Sequence, residues 1–229
     1  MNIALILSGG SGSRMHLSQP KQYLEISGKM IITYALQVVM GHKDIDAVQI
    51  VCSPEYESVI SGQVSEYISQ HEDKLKGFSK PGETRQLSIY NGLKDIAAYA
   101  SRDDVVIVHD AARPLVSLEQ LTACIKACSS HDGAMPVLPM KDTVYFSENG
   151  DTVSELLDRK KIYAGQAPEA FVFGKYLEAN ESLMPDKIYN INGSTEPAVL
   201  CGLDVAMIPG DERNFKITTQ ADLERFTEI

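Results

Sequence analysis

The chain has 229 residues, 44% of them hydrophobic and 23% charged, long enough to bury a sizeable core and short enough for one domain, 1–229. Its formal net charge of -10 argues against general nucleic-acid binding. No apolar run approaches membrane-spanning length, and the first residues enter a strand-like run with no charged leader, so a cytoplasmic protein without a membrane partner is expected.

Asn2 to Leu7 is an apolar run without alternation, the pattern of a strand buried on both faces. Ser8-Gly9-Gly10-Ser11-Gly12-Ser13-Arg14 follows at once. A backbone so poor in side chains is free to curl and present N–H groups to a phosphate. Arg14 and Lys21, on either side of this turn and Pro20, are cations suited to charge that builds on phosphorus. A P-loop is excluded because Gly12 is followed by Ser-Arg rather than Lys-Ser/Thr, and a dinucleotide fingerprint lacks its third glycine at Met15. On glycines alone the stretch is equally a turn that closes a βα connection; the two cations favour a nucleoside triphosphate loop.

Helical spacing follows over Met30–Met40, a second strand over Ala47–Cys52, a polar helix over Glu55–Gln70 and a short strand near Lys76–Lys80. Thr84–Ala100 reads as a helix with Leu87, Tyr90, Leu93 and Ile96 on one face, and Thr84 as its cap. Asp104–His109 is another buried strand. Such alternation predicts an α/β fold, a Rossmann-like, mostly parallel sheet flanked by helices, with ligands at the carboxyl ends of the strands. Ala134–Phe146, the turn signal Glu148-Asn149-Gly150-Asp151 and Thr152–Leu157 read as a β-hairpin arm projecting from that sheet, at about 138–163. A helix near Val172–Leu183, a strand near Leu203–Ile208 and a last helix from Thr219 complete the chain. Cys52, Cys124, Cys128 and Cys201 show no CxxC spacing and are expected to be free thiols, with Cys124 and Cys128 one turn apart on a helix face.

Taken together, Ser8–Met15, Pro20-Lys21-Gln22-Tyr23-Leu24, His109-Asp110-Ala111-Ala112-Arg113-Pro114 and Asn214-Phe215-Lys216-Ile217-Thr218 resemble the cytidylyltransferases that join CTP to a polyol phosphate. The best-known members act on 2-C-methyl-D-erythritol 4-phosphate, in isoprenoid synthesis; others act on ribitol 5-phosphate. The resemblance implies a nucleotidyltransferase of the nucleotide-diphospho-sugar transferase type. It would release pyrophosphate, use Mg2+ and form a homodimer through the arm. It implies catalytic roles for Arg14, Lys21 and Lys216, and nucleotide binding by Ser8, Gly9, Gly10, Ser11, Gly12, Ser13, Gly82, Glu83, Ser88 and Ala111. It gives acceptor binding to Asp110, Arg113, Thr143 and Arg159, the last two from the neighbouring subunit, with Asp110 also as the metal residue. The bland alternatives are a helix start at Gly82–Ser88, an Asp110–Arg113 pair that steadies a loop, and a surface lysine at 216. His109 reads as structural.

Two segments depart from the family pattern. Gln166-Ala167-Pro168-Glu169 stands where many members have Gln-Thr-Pro-Gln. Asn192-Gly193-Ser194-Thr195-Glu196-Pro197 stands where many have a Thr-Asp-Asp/Glu-Ala run. Tyr163-Ala164-Gly165-Gln166 is closer to the ribitol enzymes, and His109–Arg113 to the methylerythritol enzymes. By a small margin the expected acceptor is 2-C-methyl-D-erythritol 4-phosphate, with ribitol 5-phosphate or another polyol phosphate next. A catalytically silent nucleotide-binding protein is the alternative of a different class, and a dinucleotide oxidoreductase is disfavoured by Met15.

Overall fold

A computed structural model describes residues 1–10 and 19–229. The first strand, β1 (Asn2–Leu7), precedes a two-stranded ribbon of β2 (Glu25–Ile26) and β3 (Lys29–Met30). Then come α1 (Ile31–Gly41), β4 (Ala47–Val51), α2 (Glu57–Tyr67), β5 (Leu75–Ser79), α3 (Arg85–Ile96) and β6 (Val105–Asp110). The second half holds α4 (Leu118–Ala127), β7 (Gly133–Pro139), β8 (Val144–Phe146), β9 (Glu155–Leu157), β10 (Tyr163–Gly165) and β11 (Glu169–Val172). It ends with α5 (Phe173–Glu181), α6 (Glu196–Leu200), β12 (Val205–Pro209) and α7 (Gln220–Thr227).

Among the described residues, eight strands form one sheet. β1 lies between β4 and β6, parallel to both, and β5 extends the parallel set beyond β4. β11 runs antiparallel between β6 and β7, β10 pairs antiparallel with β7, and β12 returns parallel along β7. The mostly parallel α/β sheet is therefore as expected. The antiparallel insertion of β11 was not: its short apolar stretch runs straight into α5 at Phe173 and reads equally as the start of that helix.

β1 explains the layering. Ala4 and Ile6 face one side and pack with Val48, Ile50 and Ile107 under α1, α2 and α4. Ile3 and Leu5 face the other and pack with Val106, Val108 and Phe171 under α3 and α5. A strand covered on both faces has no polar side to alternate, which is why its sequence is continuously apolar. The helices start where the local chemistry asks. Thr84 Oγ1 accepts from Leu87 N at 3.2 Å, and Ser117 and Gln120 form a capping box ahead of α4. The expected polar helix over Glu55–Gln70 is shorter, ending at Tyr67 before a 3-10 stretch, Ser69–Lys74. All four cysteines are free, with Cys124 and Cys128 buried on α4 and its end.

β8 and β9 form a separate two-stranded sheet, the arm. Its tip is a tight turn in which Asn149 Oδ1 accepts from Asp151 N and Thr152 N, with Gly150 at φ +80°.

Candidate active site

The carboxyl ends of β1 and β6 open into a cavity of about 390 Å³, within the range of small-molecule sites. Leu7, Gly9, Gly10, Lys21 and Gln22 form one wall, Gly82 to Arg85 and Ser88 another, and Asp110, Ala112 and Lys216 its end.

The first wall is built by the turn after Pro20. Gln22 Nε2 donates to Ser8 O at 2.7 Å and to Gly10 O at 2.8 Å, so one amide pins the backbone at both sides of Gly9. Tyr23, stacked on Tyr56 at 3.8 Å, donates from its hydroxyl to Ser8 O at 2.8 Å. Lys21 lies between these anchors, nearly buried and facing the cavity. Ser8, expected to bind nucleotide, donates its hydroxyl to Tyr23 Oη and is not among the residues that line the cavity. Ser11, Gly12, Ser13 and Arg14 lie outside the described residues.

Glycine is required where the two walls meet. A Cβ on Gly9 would lie 2.5 Å from Cβ of Pro81. One on Gly82 would lie 2.3 Å from Cβ of Leu87 and 2.9 Å from Ser88 N. Gly82 N donates to Ser88 Oγ at 3.0 Å, which in turn donates to Thr84 O at 3.0 Å. The Gly82–Ser88 segment is thus both a helix start and a cavity wall. Glu83 lines it too. Ala111 is buried beneath the site, and Ala112 occupies the lining position instead, because Ala111 N still donates to Leu7 O as β6 ends.

The end of the cavity is built from charge. Asp110 Oδ1 accepts from Arg85 Nη2 at 3.0 Å and from Nε at 3.3 Å. Its Oδ2 faces Lys216 Nζ at 3.0 Å and Arg113 Nε at 3.5 Å. Burial alone would push the carboxyl up; Arg85, Lys216 and Arg113 outweigh it and hold Asp110 far below the carboxylate range. Arg113 is itself held, donating from Nη1 to Asn214 O at 2.7 Å, while its Nε has no hydrogen-bond partner among the described residues. Asn214 Nδ2 donates to Ala167 O at 2.8 Å and Ile217 N to Ala112 O at 2.8 Å, so the segment that carries Lys216 is tied on both sides. His109 is fully buried and its Nε2 lies 3.1 Å from Arg113 O; burial lowers its pKa to about 4, so it is neutral and structural.

Residues 2–229 match the family model for IspD, 2-C-methyl-D-erythritol 4-phosphate cytidylyltransferase. The chain belongs to the IspD family of cytidylyltransferases. It is 31% identical to the ribitol-5-phosphate cytidylyltransferase of Streptococcus agalactiae serotype III, over 100% of this chain and 95% of that protein. It is 33% identical to the protein of the same name from Vibrio parahaemolyticus, with the same coverage. Among solved structures, 4-diphosphocytidyl-2C-methyl-D-erythritol synthase from Anaerococcus prevotii matches at TM-score 0.83 and 25% identity, covering 99% of this chain and 94% of that one. The protein is therefore a nucleotidyltransferase that acts as a cytidylyltransferase, with the acceptor left open between the two names.

Against the IspD pattern, the expected nucleotide residues Gly9, Gly10, Gly82, Glu83 and Ser88 come together at the cavity, as do the expected catalytic Lys21 and Lys216 and the expected acceptor residue Asp110. Arg113 reaches it only through Asp110 and Asn214. Thr143 and Arg159 do not come near it: both are exposed at the arm, where Arg159 Nη1 donates to Lys141 O at 2.7 Å. Sequence reasoning missed Arg85 and Gln22. Gln22 sits in a quoted motif, but its two carbonyl partners are recognisable only in the fold. Arg85 looked like part of a helix start, and its partner Asp110 is 25 residues away.

The cavity's acids are Asp110 and Glu83, and both Asp110 oxygens already face cations. No group of three or more His, Cys, Asp or Glu side chains among the described residues is placed to hold a metal. The residues present do not fit Asp110 as a magnesium ligand in this arrangement. No helix among the described residues is long and apolar enough to cross a membrane.

Proposed function

We propose that this chain transfers CMP from CTP to a polyol phosphate bound at the Asp110 end of the cavity. The observation that carries this is the convergence of Arg85, Arg113 and Lys216 on one buried carboxylate. With Lys21, these cations outnumber the cavity's two acids, Asp110 and Glu83, and leave a surplus of positive charge, the environment an incoming phosphate needs. The triphosphate lies along Gly9, Gly10 and Lys21, with Arg14 as the second clamp, and cytosine and ribose against Gly82–Ser88. An oxygen of the acceptor phosphate attacks the α-phosphorus of CTP. A P–O bond forms, the bond to the bridging oxygen breaks, and pyrophosphate leaves with that electron pair. No covalent enzyme intermediate is required. Asp110 anchors cations in this reading, and no step is routed through magnesium.

2-C-methyl-D-erythritol 4-phosphate is the first acceptor to test, supported by the family model and by His109–Arg113. Ribitol 5-phosphate is the second, favoured by Tyr163–Gln166 and by the names of the Streptococcus and Vibrio relatives. Pyrophosphate release with CTP, measured against a panel of polyol phosphates, tests the reading. Release with one of these acceptors supports it; CTP binding with no release on any of them sinks it in favour of a silent nucleotide-binding protein.

The arm supports a homodimer. Tyr145, Phe146, Val153 and Leu156 are exposed at 57%, 47%, 66% and 63%, an apolar set on a two-stranded ribbon with no sheet beneath it. A second copy would cover it and bring Thr143 and Arg159 to the partner's cavity. A mass in solution of one chain at micromolar concentration would refute this.

A further inference from the structure

One buried amide spends both of its hydrogens on the turn after β1. Gln22 belongs to the 3-10 turn Lys21–Tyr23 and is 4% exposed. Its Nε2 donates to Ser8 O at 2.7 Å and to Gly10 O at 2.8 Å. Ser8 O accepts a second hydrogen bond, from Tyr23 Oη at 2.8 Å, so both of its lone pairs are taken. The N–H groups of the same turn are used differently. Ser8 N donates to Val51 O at 2.8 Å, continuing the pairing of β1 with β4. Gly9 N and Gly10 N donate to no backbone carbonyl among the described residues, and both glycines line the cavity. A turn with two carbonyls tied back and two N–H groups unspent is suited to an anion.

Peptide geometry says what the amide controls. In a trans peptide the C=O and the following N–H point to opposite sides. Holding Ser8 O on the Gln22 side therefore aims Gly9 N–H the other way. The Gly9–Gly10 peptide, which carries Gly10 N–H, is held between two fixed planes. No side chain on either glycine would restrain it otherwise.

We propose that Gln22 is a positioning residue for the phosphates of CTP: by holding Ser8 O and Gly10 O with one amide, it keeps Gly9 N–H and Gly10 N–H available to phosphate oxygens. The inference rests on the reading that the triphosphate lies along Gly9, Gly10 and Lys21. Lys21 precedes Gln22 in the same 3-10 turn and lines the same cavity, so one element sets both the cation and the amide hydrogens. Without Gln22, Ser8 O keeps Tyr23, but the Gly10 end is released. The Gly9–Gly10 peptide can then turn its carbonyl to the cavity in place of its N–H and set a negative dipole against the phosphates.

The test reads ligand binding without acceptor, so that no turnover intervenes. Gln22→Met keeps the length of the side chain and removes its donors. It should raise the Kd for CTP about tenfold, and that for inorganic tripolyphosphate by the same factor. In turnover the rise should appear in the CTP KM, with the acceptor KM within about twofold. Gln22→Glu separates this role from mere support of the fold and keeps the test open should the apolar variant not fold. Its carboxylate has no hydrogen to give, and protonation returns one donor. Its CTP Kd, divided by that of the parent at the same pH, should therefore fall about threefold between about pH 8 and pH 5.5. Three results overturn the inference while the nucleotide reading stands: CTP bound by Gln22→Met as tightly as by the parent, a loss for CTP that tripolyphosphate does not share, or a ratio for Gln22→Glu indifferent to pH. A rise in the acceptor KM with the CTP KM unmoved overturns the nucleotide reading, while the hold of Gln22 on the turn stands.

Discussion

The two walls of the cavity are held by different physics. The proposed nucleotide side is a backbone structure: Gly9 against Pro81, Gly82 against Leu87, and carbonyls pinned by Gln22 and Tyr23. Its stabilising contacts are many, neutral and individually small. The proposed acceptor side is a charge structure in which three cations share Asp110. The consequence is an asymmetry. Single substitutions on the charge side should be severe, because removing one partner strands the others in a low-dielectric site. Those on the backbone side should be mild unless they introduce bulk.

Asp110→Ala probes that asymmetry hardest. It leaves Arg85, Arg113 and Lys216 facing one another without an anion. Removing one partner of a buried ion pair costs about 3–5 kcal/mol, so urea unfolding should show a loss of about 4 kcal/mol. A loss under 1 kcal/mol would mean that the three cations are solvated and the charge side is no more brittle than the other. Lys216→Ala comes next and separates stability from rate. It removes one donor beside the proposed reacting centre, where about 3 kcal/mol of barrier, roughly a hundredfold in kcat, is at stake, with the fold intact. An unchanged kcat with a higher acceptor KM would confine Lys216 to binding.

His109 tests the charge side through pH. Its pKa is lowered to about 4 by burial, from an unfolded value of about 6.5. The neutral ring therefore contributes stability that is full above about pH 6.5 and declines as pH falls toward 4. Between pH 7 and pH 5 the loss should be about 2 kcal/mol, measured by urea unfolding, and His109→Asn should flatten that part of the profile. A profile identical in the two proteins would place the protonation elsewhere.

How legible these two sides were in the sequence follows the same division. Backbone features announce themselves locally: the glycine turn after β1, the Thr84 cap and the buried runs of β1 and β6 are all read from neighbours within a few residues. Charge features do not. Asp110 and Lys216 were visible because each sits in a recognisable motif, but their contact joins residues far apart in sequence, and Arg85 was assigned no site role. β11 stayed hidden for the same reason, since its strand character comes from β6 and β7 on either side and from no periodicity of its own. The arm was legible as a hairpin from Asn149-Gly150, but not whether it reaches a site.

Thr84→Ala completes the contrast from the backbone side. Thr84 Oγ1 caps α3 and the residue lines the cavity, so the change removes a hydrogen bond on the proposed nucleotide wall. The cap is one of several supports, because Ser88 Oγ still donates to Thr84 O and Gly82 N still donates to Ser88 Oγ. The expected loss is about 1 kcal/mol of stability, and about a fivefold rise in the CTP KM at most, with the acceptor KM unchanged. A hundredfold loss would show that the hydroxyl itself meets the nucleotide. The backbone wall would then depend on a single side chain, as the charge wall does on Asp110.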